Sequence, residues 1–255
     1  MTAEIERAAR ILADARTLVV ASGAGMSRDS GVPTFRDAMT GLWARFDPHE
    51  LANAQAFLSR PSRVFGWYVW RWNLVHEVAP HAGYDALVDL EAAFDELLVV
   101  TQNVDGFHSR AGSSDVVELH GSLEAFRCFD NAHPFDSSGI VGLQATEDGE
   151  VDPPLCSICG SRIRPGVVWF GESLPRKAVE RAWAAVGSCD ALLVVGTSAV
   201  VYPAAELPSI AMRRGCPVID INPGQTPITG DVDVWIPERA EVALPQLADL
   251  VLEAR

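Results

Sequence analysis

The chain has 255 residues, 48% apolar and 21% charged, which supplies a real core and excludes disorder or a fibrous repeat. Its 34 Asp and Glu against 20 Lys and Arg leave a formal charge of −14, which would repel polyphosphate and argues against nucleic acid as a ligand. No apolar run approaches the ~18 residues of a membrane span. The charges at Glu4, Glu6, Arg7 and Arg10 leave no signal-peptide stretch. Five cysteines, two of them in Cys156-Ser-Ile-Cys159, suit a reducing compartment with a metal site, so a cytoplasmic location is expected.

In chain order, Thr2 followed by apolar Ile5, Ala8, Ala9 and Leu12 predicts an opening helix. Thr17–Ala21 is a short continuous apolar run, the pattern of a strand buried on both faces. Similar runs are Leu97–Thr101, Ala191–Val195 and Pro217–Ile221, with helical patterns at Tyr84–Phe94, Arg176–Val186 and Ala204–Arg214. This alternation predicts an α/β fold, a parallel sheet wrapped by helices. Two stretches break the rhythm: residues 35 to about 80, aromatic-rich and helix-like, and residues 124–165, irregular and Cys-bearing. They read as excursions that meet as a smaller domain.

Several polar groups fall at the ends of the buried runs. Ser22-Gly-Ala-Gly-Met-Ser27 follows the first, and its glycines allow a ligand close to the backbone, although Arg28 stands where a dinucleotide fingerprint has its third glycine. A plain strand-to-helix turn is the alternative. Gly31-Val-Pro-Thr-Phe-Arg36 reads either as a loop closing over a nucleotide or as a solvated surface loop. Thr101-Gln-Asn-Val-Asp105 offers amides and a carboxylate for ribose hydroxyls and a carboxamide, or simply caps a strand. His120 ends another short run, as a general base or as a structural histidine.

Taken in order, Gly23-Ala-Gly25-x-Ser27, Pro33-Thr-Phe-Arg36, Thr101-Gln-Asn-Val-Asp105 and Leu119-His-Gly121 resemble the sirtuin (Sir2) family of NAD-dependent protein deacylases. The likeness continues through Cys156-x-x-Cys159, Val168-Trp-Phe-Gly-Glu172, Gly196-Thr-Ser198 and Asn222-Pro223, and spans roughly residue 8 to the C-terminus. The resemblance implies a Rossmann-like domain of residues 1–34, 81–123 and 166–255. It also implies a small domain of residues 35–80 and 124–165, a helical module plus a zinc-ribbon-like one.

By the same resemblance, Gly23, Ala24, Gly25 and Ser27 contact the NAD phosphates, and Arg36 lies in the loop that closes over the cofactor. Gln102, Asn103 and Asp105 surround the nicotinamide ribose and carboxamide. Gly196, Thr197, Ser198, Asn222, Pro223, Gly224 and Ala240 hold the phosphates and adenosine. Val168, Phe170 and Gly171 lie along an acyl-lysine substrate as an added strand. Asn103 and His120 are the catalytic pair, with His120 as the base. The reaction implied is attack of the acyl oxygen on the nicotinamide ribose with release of nicotinamide, giving an alkylimidate. His120 then takes a proton from the ribose hydroxyls so that the 2′-oxygen attacks the imidate, and hydrolysis by water frees lysine and 2′-O-acyl-ADP-ribose.

Tyr68 and Arg71 are three apart, so on a helix they share a face, and hydroxyl beside guanidinium suits a carboxylate. Packing of the aromatics, with Arg71 paired to an acid such as Glu77, is the alternative. Within the family, Tyr68-x-x-Arg71, Thr34 before Phe35, and the small Ala52 resemble the class III branch, which removes succinyl, malonyl and glutaryl groups. Desuccinylation and demalonylation with retained deacetylation are therefore expected; a plain deacetylase, an NAD or ADP-ribose sensor, or a mono-ADP-ribosyltransferase are the rivals. The expected partners are acylated-lysine proteins, with neither nucleic acid nor membrane, and a monomer is consistent with the sequence. The family's zinc site needs four thiolates, yet Asn131 stands where the second cysteine belongs. Cys128, Cys156 and Cys159 remain, with Asp130 or His133 as a candidate fourth ligand, or a weak or empty site. Cys189 and Cys216 read as packing residues. Pro80-His-Ala-Gly-Tyr84, where relatives end in His, reads as a tuned helix start.

Overall fold

The computed structural model describes residues 2–32 and 48–255, so Pro33, Thr34, Phe35 and Arg36 lie outside the described residues. Its helices are α1 (Ala3–Asp14), α2 (Ala24–Ser27), α3 (Pro48–Leu51), α4 (Ala54–Ser59), α5 (Pro61–Glu77), α6 (Ala82–Glu91), α7 (Phe107–Ala111), α8 (Arg176–Val186), α9 (Leu207–Arg213) and α10 (Ala240–Ala254). The strands are β1 (Thr17–Ser22), β2 (Glu96–Thr101), β3 (Val116–Glu118), β4 (Gly121–Cys128), β5 (Pro134–Phe135), β6 (Ile163–Val167), β7 (Ala191–Val195), β8 (Val218–Ile221) and β9 (Val234–Ile236).

Six strands form a parallel sheet in the order β3-β2-β1-β7-β8-β9. The central strand β1 sets Val20 against Val99 of β2 on one side and Leu193 of β7 on the other. Alternate side chains go to opposite layers, as a pleated strand requires. Leu18 and Val20 pack in the layer containing Leu12, Leu87 and Leu247, whereas Val19 and Ala21 pack with Ala182, Val186 and Ala211. The sheet is thus covered on both faces, the reason its strands read as unbroken apolar runs.

The helix starts follow from local chemistry. Thr2 accepts the Ile5 amide at the head of α1, and His81 Nδ1 accepts the Gly83 amide at 2.9 Å at the head of α6. The tuned helix start expected at Pro80–Tyr84 is therefore a histidine cap. The helix expected at Ala204–Arg214 opens with a single 3₁₀ turn at Ala204–Glu206 and becomes α-helical at Leu207, with Pro208 in its first turn, where a missing N–H is harmless.

The two excursions meet beside the parallel sheet. One contributes α3, α4 and α5; the other contributes an antiparallel sheet in the order β5-β4-β6. β4 and β6 pair with each other from Gly121 and Val167 to Cys128 and Ile163, so the expected limits at residues 123 and 165 fall inside strands. Phe57 of α4 lies 5.5 Å from Phe129 and 5.3 Å from Trp169, joining the helical module to the second sheet and to the segment after β6. No helix among the described residues is long and apolar enough to cross a membrane.

Candidate active site

The site lies at the C-terminal ends of β1, β2, β3, β7 and β8, on both sides of the point where the sheet order reverses direction. In open α/β sheets that crevice is where ligands bind. The turn after β1 is pressed against the turn after β7: the Gly25 amide donates to the Gly196 carbonyl at 2.7 Å, and Gly23 to Val195 at 3.0 Å. A Cβ on Gly25 would stand 2.7 Å from the Gly196 oxygen. Gly196 itself has φ of +58°, and a Cβ there would meet the Met26 nitrogen at 2.3 Å. Both positions require glycine by space, and the second also by conformation. Asn222 then ties the β8 end to the same turn, donating to the Thr197 carbonyl at 2.7 Å.

Beside this turn Ser27 collects three partners. Its hydroxyl donates to Asp105 at 2.6 Å, accepts from the Asn103 amide at 2.8 Å and sits 3.0 Å from the Tyr84 hydroxyl. Asn103 also donates to the Gly23 carbonyl at 3.0 Å, so β1 and β2 are tied across the site. Burial raises the Asp105 carboxyl, opposed by hydrogen bonds from Ser27 and the Phe107 amide. Gln102 donates to Thr197 at 3.1 Å. Its backbone carbonyl lies 3.0 Å from Nδ1 of His120. A carbonyl can only accept, so that bond places the imidazole proton on Nδ1 and leaves Nε2 with a lone pair.

The deeper end is lined by Tyr68 and Arg71 of α5, Ala52, and the segment after β6. Arg71 is only 6% exposed, with its guanidinium 4.9 Å from the Trp67 ring centre and 5.4 Å from that of Tyr68. Burial lowers it to about 10, so it stays cationic at neutral pH, while burial pushes the Tyr68 phenol up and keeps it protonated. Val168 donates its amide to the His120 carbonyl at 2.8 Å and Phe170 to the Ala52 carbonyl at 2.9 Å, which hold this segment across the cleft.

These residues enclose two cavities. One of about 450 Å³ contains Ala24, Ser27, Ala52, Tyr68, Arg71, Gln102, Asn103, Asp105, His120, Val168, Phe170 and Gly171. The other, of about 250 Å³, contains Ala24, Gly25, Gly196, Thr197, Ser198, Asn222, Pro223, Gly224 and Ala240. Ala24 belongs to both walls. Every expected cofactor and substrate residue within the described chain thus lies in one of these two spaces or, for Gly23, in the turn between them.

A separate group stands on the antiparallel sheet. The ligand atoms of Cys128, His133, Cys156 and Cys159 all lie within 4.8 Å of one another. The Cys128 and Cys159 sulfurs are 3.7 Å apart, and Nδ1 of His133 is 3.6 Å from the sulfurs of both Cys128 and Cys156. Tetrahedral zinc, with Zn–S ≈ 2.3 Å and Zn–N ≈ 2.0–2.1 Å, needs S···S near ~3.8 Å and S···N near ~3.6 Å. The donor set fits. His133, and not Asp130, joins the three cysteines. The Ser161 amide, and then the Asn131 side chain, lower the Cys159 thiol to about 6, so a thiolate is available at neutral pH. Cys189 and Cys216 are buried as free thiols 3.7 Å apart in the other layer.

Sequence reasoning did not single out Tyr84 as a partner of Ser27, nor Trp169, Arg164 and Glu172 around Tyr68. Tyr84 stands out in the sequence as the start of a helical pattern and as the departing end of the Pro80 motif, with nothing to mark it as a partner of Ser27. Trp169 lies inside Val168-Trp-Phe-Gly-Glu172, with no signal in the sequence for what it touches.

A family model described as "Sir2 family" matches residues 23–203. A protein of Mycolicibacterium paratuberculosis named "NAD-dependent protein deacylase" is 50% identical over 230 residues, covering 90% of this chain and 95% of its own. A solved structure of a Sir2 homologue in complex with NAD superposes with a TM-score of 0.86 at 41% identity, covering 98% of this chain and 94% of that one. Another, Sir2Af2 bound to a myristoylated histone peptide, gives 0.78 at 34% identity over 99% and 98%. The chain belongs to the Sir2 family.

Proposed function

We propose that this NAD-dependent protein deacylase removes succinyl and malonyl groups from protein lysines, and acetyl groups as well. Bound NAD supplies the anomeric carbon that the acyl oxygen attacks, with nicotinamide as leaving group and 2′-O-acyl-ADP-ribose as product. Asn103 and Asp105, locked together through Ser27, would hold the nicotinamide ribose. His120 would take a ribose hydroxyl proton on Nε2, because Nδ1 is committed to Gln102. Val168, Phe170 and Gly171 would run beside the lysine chain, and Ala52 leaves room for an acyl group longer than acetyl. Residues 1–34, 81–123 and 166–255 would form the NAD domain, and 35–80 with 124–165 the small one. Cys128, His133, Cys156 and Cys159 would hold a structural zinc. Five free cysteines fit the reducing, cytoplasmic setting proposed.

The observation that carries the acyl preference is Arg71, a buried cation at the acyl end of the larger cavity beside a protonated phenol. A methyl group gains nothing from that pair, whereas a carboxylate gains charge-assisted bonds. Steady-state rates with NAD on succinyl-, malonyl- and acetyl-lysine peptides test it. For Arg71→Met the succinyl-to-acetyl ratio of kcat/KM should fall about tenfold to a hundredfold, the worth of a hydrogen-bonded charge. An equal fall on all three peptides would remove Arg71 as the source of the preference, and a wild-type enzyme active on acetyl alone would make this a plain deacetylase.

A further inference from the structure

Tyr68 has a buried side-chain partner in the wall of the cavity. The Trp169 indole nitrogen lies 3.0 Å from the Tyr68 hydroxyl oxygen, and both residues are 2% exposed. An indole N–H donates and never accepts. The phenol oxygen must therefore be the acceptor in this bond, and the phenol's own proton is not used in it. A phenol proton lies in the ring plane with two positions open to it; a donor occupying one leaves the other.

The indole is itself held firmly. The Arg164 guanidinium stacks 3.4 Å from the Trp169 ring centre, and Arg164 is 3% exposed. Arg164 pairs with Glu172 through both carboxylate oxygens and also donates to the Val167 carbonyl at 2.9 Å. Glu172 Oε2 in turn accepts the backbone amide of Trp169 at 2.9 Å. Phe57 closes the remaining side. A cation on the indole face draws electron density from the ring and sharpens its N–H as a donor.

We infer that Trp169 is a positioning residue for acyl specificity, its indole N–H fixing the Tyr68 hydroxyl so that the phenol proton is kept for the carboxylate that Arg71 attracts. The inference rests on the dicarboxylate reading above and deepens it. Trp169 touches Tyr68 rather than the reacting atoms, so its effect should fall on the recognition of one acyl class and not on the common chemistry.

The test is a double-mutant cycle of Trp169→Phe and Tyr68→Phe on the full-length enzyme, measured with succinyl- and acetyl-lysine peptides at saturating NAD. Phenylalanine keeps an aromatic ring under Arg164 and removes the donor together with the five-membered ring that carries it, and the cycle separates the two losses. The expected result is a fall of about fivefold in the succinyl-to-acetyl kcat/KM ratio for Trp169→Phe, the size of one neutral hydrogen bond, expressed mainly in the succinyl-peptide KM. In the Tyr68→Phe background the same change should leave the ratio where it is, because no phenol remains to orient. A ratio unchanged by Trp169→Phe while the wild type desuccinylates overturns the inference alone. So does a fall that persists undiminished without the phenol, since that is the mark of a packing defect. A wild type without succinyl turnover overturns the dicarboxylate reading and the inference with it.

Discussion

His120 illustrates how a single contact prepares a residue for work. With the Gln102 carbonyl holding Nδ1, the ring keeps its lone pair on Nε2 and needs no tautomer change before accepting a proton. For His120→Ala we expect kcat to drop by about a hundredfold or more on every acyl peptide, while NAD affinity, read by titration calorimetry, stays within a few-fold. A loss of NAD binding equal to the loss of rate would instead make His120 part of the cofactor pocket's framework. At this scale much was legible in the sequence: His120, Asn103, Asp105 and Arg71 stand out because motif order places them. Tyr84 and Trp169 were not legible as partners, since Tyr84 meets a serine 57 positions away and Trp169 a tyrosine 101 positions away, and no local pattern encodes such meetings.

Among the elements, the Cys/His module is the clearest case of partial legibility. Cys156-x-x-Cys159 and Cys128 announce themselves, but the choice between Asp130 and His133 depends on the turn after β4. There Ala132 adopts φ of +54°, its amide returns to the Cys128 carbonyl at 3.1 Å, and the chain brings His133 around to face the sulfurs. Nothing in the residue types specifies that turn. The purified protein should contain about one zinc per chain by elemental analysis, and His133→Ala should lower both the zinc content and the melting temperature, the latter by ~5 °C, or about 1–2 kcal/mol for a chain of this size. Zinc content unaltered in His133→Ala would remove the histidine from the ligand set. β9 and α10 escaped the sequence reading for a different reason: β9 is a three-residue strand, too short for any periodicity, and α10 was noticed only through Ala240.

Viewed as a whole, the molecule also stores a penalty in its main sheet. Asp220 of β8 is fully buried; its Oδ2 receives Thr226 at 3.4 Å and its Oδ1 has no hydrogen-bond partner among the described residues. Burial raises this carboxyl to about 6. A carboxyl raised on folding favours the native state fully below its unfolded value of ~3.9, and that contribution disappears as pH rises through about 6. Asp220→Asn should therefore be more stable than wild type at pH 8 by up to about 3 kcal/mol relative to their difference at pH 4, read as melting temperature against pH. A difference between the two proteins that does not vary with pH would show the carboxyl to be ionised or neutral alike in both states. The sheet itself was the most legible part of the fold, because strands covered on both faces leave apolar runs such as Ala191–Val195 that need no alternation to be seen.

The register of β1 has a consequence for the order in which the chain is made. Its neighbours are Glu96–Thr101 on one side and Ala191–Val195 on the other, so the strand at the centre of the sheet is synthesised long before either of its partners. Once β2 has emerged, one edge can pair. The other stays open while β4, the Cys/His module, β6 and α8 are still being added. An apolar strand with an unpaired edge invites wrong partners, and distant pairings are slow to form. The chain therefore builds the wall of its larger cavity and its Cys/His module around a sheet whose middle is still unfinished, and the turn that joins Gly25 to Gly196 can close only after β7 has been made.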